Sequence, residues 1–249
     1  MTYDFTGKTA LVTGSTSGIG RATALMLAAG GAHVIISGRN EARAEKTVAD
    51  IREAGGTADF VSSELADVDS VRNLAERALT IGGGHVDILV NNAAHAPWAL
   101  TADATVEDID KANAINVRAP FLLVAALAPG MAAGGSGAIV NVSTMVANFG
   151  MTGMGVYGSS KAALQLLTKA WAAEFGPQGV RVNAVSPGPT RTEGTAGMAE
   201  GLNKLAETTP AGHPSDADDI ADAIVFLASD SARQIQGTIL PVDGGRLAV

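Results

Sequence analysis

The chain has 249 residues, no cysteine, four histidines and a formal net charge of −8. That length suits one α/β domain whose core needs no staple, and the lack of cysteine excludes disulfides, thiolate zinc sites and thiol catalysis; with histidine so scarce, no metal site is expected. An acidic chain is a poor match for a nucleic-acid backbone or an anionic membrane, and Met1–Lys8 is polar with no secretory h-region, so a cytoplasmic protein is expected.

Short β-branched runs alternate with longer amphipathic stretches. Lys8–Thr13 is an apolar run ending in glycines, and Arg21–Ala29 is an Ala- and Leu-rich helix closed by Gly30-Gly31. His33–Ser37 is a second run, followed by a charged helix over Glu41–Ala54. Ala58–Ser62 is a third run and Ser70–Thr80 a helix. Val86–Val90 ends at Asn91-Asn92, and Val106–Ile115 leads into an apolar helix around Phe121–Leu127. The uncharged stretch Ala119–Gly135 holds Pro120 and Pro129 and is short for a membrane span, so it reads as a buried or subunit-facing helix. Ala138–Val142 is a fifth run, Ser160–Glu174 a helix, Val180–Val185 a sixth run and Gly237–Val242 a seventh. Non-alternating apolar strands interleaved with helices imply a parallel sheet covered on both faces. Only Thr190–Pro214, rich in Gly, Thr, Glu and Met, looks loose, and it is long enough to be a lid.

Between the first strand and first helix lies Gly14-Ser15-Thr16-Ser17-Gly18-Ile19-Gly20. Glycines there let backbone approach a pyrophosphate, and the helix N-terminus supplies N–H donors and a favourable dipole. The second strand ends in Ser37-Gly38-Arg39-Asn40. An acidic residue at this point would hold a ribose 2′-hydroxyl; Arg39 offers a phosphate-binding fork instead, which favours NADP(H) over NAD(H). Tyr157 and Lys161 stand four apart, hence on one helix face. A free tyrosine, with a pKa of about 10, is a weak base near neutrality; a neighbouring ammonium lowers it and makes a general acid/base for carbonyl chemistry.

The Gly14–Gly20 turn, Asn91-Asn92-Ala93-Ala94, Asn116, Ser143-Thr144, Tyr157/Lys161, Pro187-Gly188 and Val242-Asp243-Gly244-Gly245 occur in one order along almost the whole chain. That order resembles the short-chain dehydrogenase/reductase family, and in particular members of the 3-oxoacyl-[acyl-carrier-protein] reductase type. The resemblance implies a Rossmann-type, doubly wound, seven-stranded parallel sheet with helices on both faces and a catalytic tetrad. In it Tyr157 moves the proton, Lys161 lowers the Tyr157 pKa and holds the nicotinamide ribose, and Asn116 keeps a relay water through its helix backbone. The family's substrate-orienting serine falls on Thr144, with Ser143 beside it as the alternative; their strand positions face opposite sides. Cofactor contacts are implied for Gly14, Ser15, Thr16, Ser17, Gly18, Ile19, Gly20, Arg39, Glu64, Leu65, Asn92, Ala93, Ala94, Tyr157, Lys161, Pro187, Gly188, Thr190 and Thr192. Ala94 stands where the family has glycine, and Glu64 where it often has aspartate.

By the same analogy His95, Pro97, Trp98, Met145, Val146, Phe149, Met151, Met154, Met198 and Leu202 surround the substrate. The set is mainly apolar and suits a small, hydrophobic carbonyl compound or alcohol. Family interfaces map to Phe121–Leu127, Tyr157–Glu174 and the C-terminal strand, which implies a homotetramer. A non-catalytic NADP(H)-binding sensor or scaffold of the same fold is the alternative, and intact Asn116, Tyr157 and Lys161 weigh against it.

Overall fold

The alternating apolar runs do become strands and helices. In a computed structural model, which describes residues 3–249, the elements are β1 (Thr9–Thr13), α1 (Gly18–Ala29), β2 (His33–Gly38), α2 (Glu41–Glu53), β3 (Thr57–Ser62), α3 (Val68–Ile81), β4 (Ile88–Asn91), α4 (Val106–Asn113), α5 (Ala119–Ala133), β5 (Gly137–Val142), α6 (Gly155–Phe175), β6 (Val180–Pro187), β7 (Thr190–Arg191), α7 (Ala199–Ala206), β8 (Ser215–Asp216), α8 (Ala217–Ala228) and β9 (Ile239–Val242). Seven strands form one parallel sheet in the order β3-β2-β1-β4-β5-β6-β9, while β7 and β8 pair separately. The strand order reverses between β1 and β4. Open α/β sheets leave a ligand crevice at that point, beyond the C-terminal strand ends.

Both faces of the sheet are covered, which is why the strands are apolar at consecutive positions. In β1, Ala10 and Val12 belong to the core layer that includes Leu27 of α1, Val48 of α2 and Ile224 of α8. Leu11 lies in the opposite layer with Leu74 of α3, Leu123 and Leu127 of α5 and Leu164 of α6. Each fully buried Leu or Ile contributes roughly 1.5–3 kcal/mol.

Three expectations are corrected. α8 is absent from the elements read off the sequence, although Asp216 and Asp219 form a capping box and Ile220, Ala221, Ile224 and Val225 make a buried stripe. Ala119–Gly135, which reads as short for a membrane span, is part of a longer helical run: Pro120 sits in the first turn of α5, and Pro129 lies inside it. A π-helical segment, Ala114–Arg118, joins α4 to α5. The resulting run Val106–Ala133 is long and apolar enough to cross a membrane, but 56% of its most apolar window is buried in the protein. Finally, the stretch expected to be loose carries β7, a 3-10 turn over Glu193–Met198 and α7. It remains thinly packed, since only Thr190, Ala206, Thr209 and Pro214 within it are buried.

Candidate active site

The turn after β1 is shaped by backbone demands. Gly18 has φ +52°, and a Cβ on Gly20 would lie 2.4 Å from both Asn92 Nδ2 and the Gly14 carbonyl oxygen. Asn92 braces the turn from β4, its amide donating to the carbonyls of Thr13 at 2.9 Å and Gly14 at 3.1 Å. Thr13 Oγ1 accepts the backbone N–H groups of Asn92 and Ala93. Ser15 is fully buried; its hydroxyl donates to Val12 and accepts from the Ser37 amide. Ser15 and the Asn92 amide nitrogen therefore brace the cradle from within.

α1 starts without a side-chain cap. The Gly18 N–H instead donates to Glu193 Oε2, 2.8 Å away, across a separation of 175 residues. A carboxylate oxygen on this N–H is an anion at a helix N-terminus, where the dipole favours negative charge. Sequence reading did not single out Glu193; its proximity to the turn is a product of the fold.

At the end of β2, Arg39 is exposed and its Nη1 lies 3.5 Å from Glu64 Oε2. The two residues expected near the adenosine thus face each other. Leu65 is buried in the core, so only its backbone is free to meet a ligand.

The end of β5 and the start of α6 bring Ser143, Thr144, Tyr157 and Lys161 together. α6 begins at Gly155, so Tyr157 and Lys161 occupy its first two turns on one face. Lys161 is 1% exposed, and its ammonium donates to the Val142 carbonyl at 2.6 Å. Burial pushes the Lys161 pKa down to about 7. Tyr157 is half-buried. Desolvation pushes its phenol up to about 12, opposed by a hydrogen bond with the Thr144 side chain. The expected lowering by Lys161 is not met here, because Nζ is turned to Val142 and burial controls the phenol.

Between the two strand-end hydroxyls the structure distinguishes clearly. Ser143 is buried toward α6, where it accepts from Gln165 Nε2 at 3.0 Å and reaches the Lys161 carbonyl at 3.4 Å. Thr144 is the one that meets Tyr157.

Asn116 lies in the π-helical segment and is fully buried. Its Oδ1 accepts the His95 N–H at 2.9 Å, and its Nδ2 donates to the His95 carbonyl at 2.8 Å and to Ser160 Oγ at 2.9 Å. The side chain clasps the loop after β4 to α6. Only its backbone remains for the expected water, and a π-helical turn shifts the helix hydrogen bonding there.

Beyond β6, Thr190 Oγ1 donates to the Gly188 carbonyl, and Thr192 caps the following turn with Thr195. Gly188 packs so closely on Asp243 that a Cβ would lie 2.6 Å from its Cα.

Of the expected substrate contacts, Met145 and Val146 are buried beneath the site. Trp98 is exposed and covers Gly153, while Phe149 stacks under the Arg246 guanidinium at 5.1 Å. Met151 and Met198 are exposed; Pro97, Met154 and Leu202 are partly so. His95 is held by Asp108, with Nε2 3.1 Å from Oδ1, and this bond, with a second from Thr105, keeps the Asp108 carboxyl below its ordinary pKa. Among the described residues no acidic or histidine cluster is arranged to hold a metal.

A family model described as Enoyl-(Acyl carrier protein) reductase matches residues 14–246. A 2,5-dichloro-2,5-cyclohexadiene-1,4-diol dehydrogenase from Sphingobium indicum is 38% identical over 240 residues, covering 96% of each chain. A solved structure described as a short chain dehydrogenase/reductase family protein is 48% identical with a TM-score of 0.91, covering 100% of both chains. A 3-oxoacyl (acyl-carrier-protein) reductase from Agrobacterium tumefaciens C58, solved with NADP bound, is 29% identical with a TM-score of 0.93, covering 98% of this chain and 96% of that one.

Proposed function

From the premise that this chain belongs to the short-chain dehydrogenase/reductase family, we propose an assignment of roles to its residues. The protein is an NADP(H)-dependent oxidoreductase that interconverts a carbonyl compound and a secondary alcohol by hydride transfer. The observation that carries the residue assignment is the convergence of Thr144, Tyr157 and Lys161 where β5 meets α6, at the C-terminal edge of the sheet.

Bound NADP(H) supplies or accepts the hydride. The Gly14–Gly20 turn would hold its pyrophosphate, with Ser15 and Asn92 keeping that turn rigid and Thr16, Ser17 and Ile19 lining it. Arg39 would hold the 2′-phosphate. Glu64 and the Leu65 backbone would border the adenine; Ala93, Ala94, Pro187, Gly188, Thr190 and Thr192 would border the nicotinamide half.

Tyr157, held near pKa 12, is protonated throughout the neutral range. That is the form that donates a proton to the oxygen of a carbonyl being reduced. Thr144 orients the same oxygen with its hydroxyl. The reverse reaction needs a phenolate, which needs positive charge beside it. Lys161, poised at about 7, gains or loses its proton close to working pH. Asn116 fixes the loop that carries His95 and frees backbone for a water that refills Tyr157.

We read the chain as one nucleotide-binding domain, with residues 190–214 as a lid over a small, mainly apolar substrate. The exposed apolar side chains of Trp98, Met151 and Met198 support this reading. A homotetramer is supported by the outward faces of α5 and α6, where Phe121 is 49% and Leu166 69% exposed. Burying such a surface is what symmetric assembly achieves. A cytoplasmic location rests on the acidic, cysteine-free composition.

A fluorescence titration with NADPH and NADH tests the cofactor assignment. NADPH binds the more tightly, and Arg39→Asp removes that preference. An unchanged preference in the variant would break the role given to Arg39.

A further inference from the structure

Glu193 joins the lid to the phosphate turn. Among the described residues, its 2.8 Å contact with the Gly18 N–H is the one hydrogen bond between residues 193–206 and anything outside the lid. The neighbouring Thr192 lies over the same glycine, where an added Cβ would be 3.2 Å from its Cβ and Cγ2. The carboxylate is not on a free end. It opens a 3-10 turn fixed by the reciprocal Thr192–Thr195 box, and Thr195 Oγ1 donates to the Thr190 carbonyl at 2.9 Å. From Glu193 to Leu205 no residue is buried, so little else anchors that stretch.

We propose that Glu193 is a latch that sets nucleotide affinity. Its carboxylate occupies the helix N-terminus as an intramolecular anion, and the pyrophosphate must displace it. The inference rests on the assignment of the Gly14–Gly20 turn to the pyrophosphate. One N–H does not serve two anions, and a displaced carboxylate beside a pyrophosphate is repelled by it. Cofactor entry and release of the lid's first turn are then a single event. The coupling is reciprocal: whatever holds the latch closed weakens nucleotide binding by the same factor. A surface charge at a helix N-terminus is a modest interaction, corresponding to a factor of about two to five.

The test uses the full-length protein, with and without NADPH, as wild type, Glu193→Gln and Glu193→Ala. Two readouts are combined: NADPH affinity by fluorescence titration, and hydrogen exchange at Gly18 and residues 190–206. Both variants bind NADPH about two- to fivefold more tightly. Without nucleotide, both exchange faster at Gly18 and across the lid; with saturating NADPH, wild type and variants exchange alike. Unchanged or weaker NADPH binding in the variants overturns the latch. So does tighter binding without faster exchange, which would mean simple repulsion with no displaced contact. If wild type binds NADPH and the variants match it, the latch alone fails. If neither wild type nor variants bind NADPH, the assignment of the turn fails and the latch falls with it.

Discussion

The two ends of the sheet handle polar groups in opposite ways. At the N-terminal end, Asp87 and Arg181 each engage several partners. Asp87 accepts from Lys8 Nζ and from the Thr9 backbone, and His85 lies 3.5 Å away. The Arg181 guanidinium donates to the carbonyls of Leu227, Ala228, Ser229 and Ala232, closing the C-terminal end of α8. At the C-terminal end, the groups are held in less comfortable states. Lys161 is buried against a single carbonyl, the Tyr157 phenol is pushed up by desolvation, and the first N–H of α1 borrows the Glu193 carboxylate. A charge whose partners are all present is a structural fastening. A desolvated one, poised to change protonation or partner, marks chemistry.

Substitutions that cut across this contrast sharpen it. The largest effect on rate is expected from Tyr157→Phe, which removes the proposed proton donor while keeping the ring; carbonyl reduction falls roughly 10²–10⁴-fold, measured as kcat/KM, while NADPH affinity is kept. Activity within tenfold of wild type would sink the role of Tyr157. At the opposite end, Arg181→Met is expected to lower stability by about 3 kcal/mol, since it strands carbonyls that accepted from a charged group. Denaturant melts measure that loss, and NADPH affinity in the surviving folded protein stays as in wild type.

Lys161→Met separates the two ends by the sign of its effect on stability. In the folded chain Lys161 sits at about 7, below its ordinary value of 10.5. Between those values the unfolded chain binds the extra proton, so wild-type stability rises with pH from 7 to 10.5, and the penalty is complete below about 7. The variant is therefore the more stable protein at pH 7, and the gap closes toward pH 10. It loses activity in the same range. Thermal melts across pH check this; a variant less stable at pH 7 would mean that the bond to Val142 outweighs desolvation. The smallest effects concern the paired hydroxyls. Thr144→Ser keeps kcat/KM within roughly tenfold, and Thr144→Val loses the hydrogen bond to Tyr157 and most of the activity. Ser143→Ala changes stability more than rate, because Ser143 packs between Gln165 and the Lys161 backbone.

Much of this was legible in the sequence. The strand–helix alternation, the Gly14–Gly20 turn and the Tyr157/Lys161 spacing are local patterns, and local backbone geometry enforces them wherever they occur. Their order along the chain carried the family and its chemistry. α8 is a near miss of the same kind: its cap and its apolar stripe are both present in Asp216–Ala228, hidden only by following a long stretch of turn residues.

Other features depend on which side chains meet across the fold, and no spacing encodes that. Thr144 and Ser143 are neighbours with equivalent hydroxyls; the packing of the segment after β5 against α6 puts Ser143 on Gln165 and Thr144 on Tyr157. Ser15 and the Asn92 amide nitrogen brace the Gly14–Gly20 turn through contacts that only the fold creates. The direction of the Tyr157 shift was set by desolvation, which requires a buried site rather than a neighbouring lysine in the sequence. Glu193 lies 175 residues from the amide it holds. The sequence by itself determined the fold and the reaction class, because both follow from short-range patterns. Tertiary structure decided the partners and protonation of the reacting groups, because those depend on burial and on contacts between distant segments.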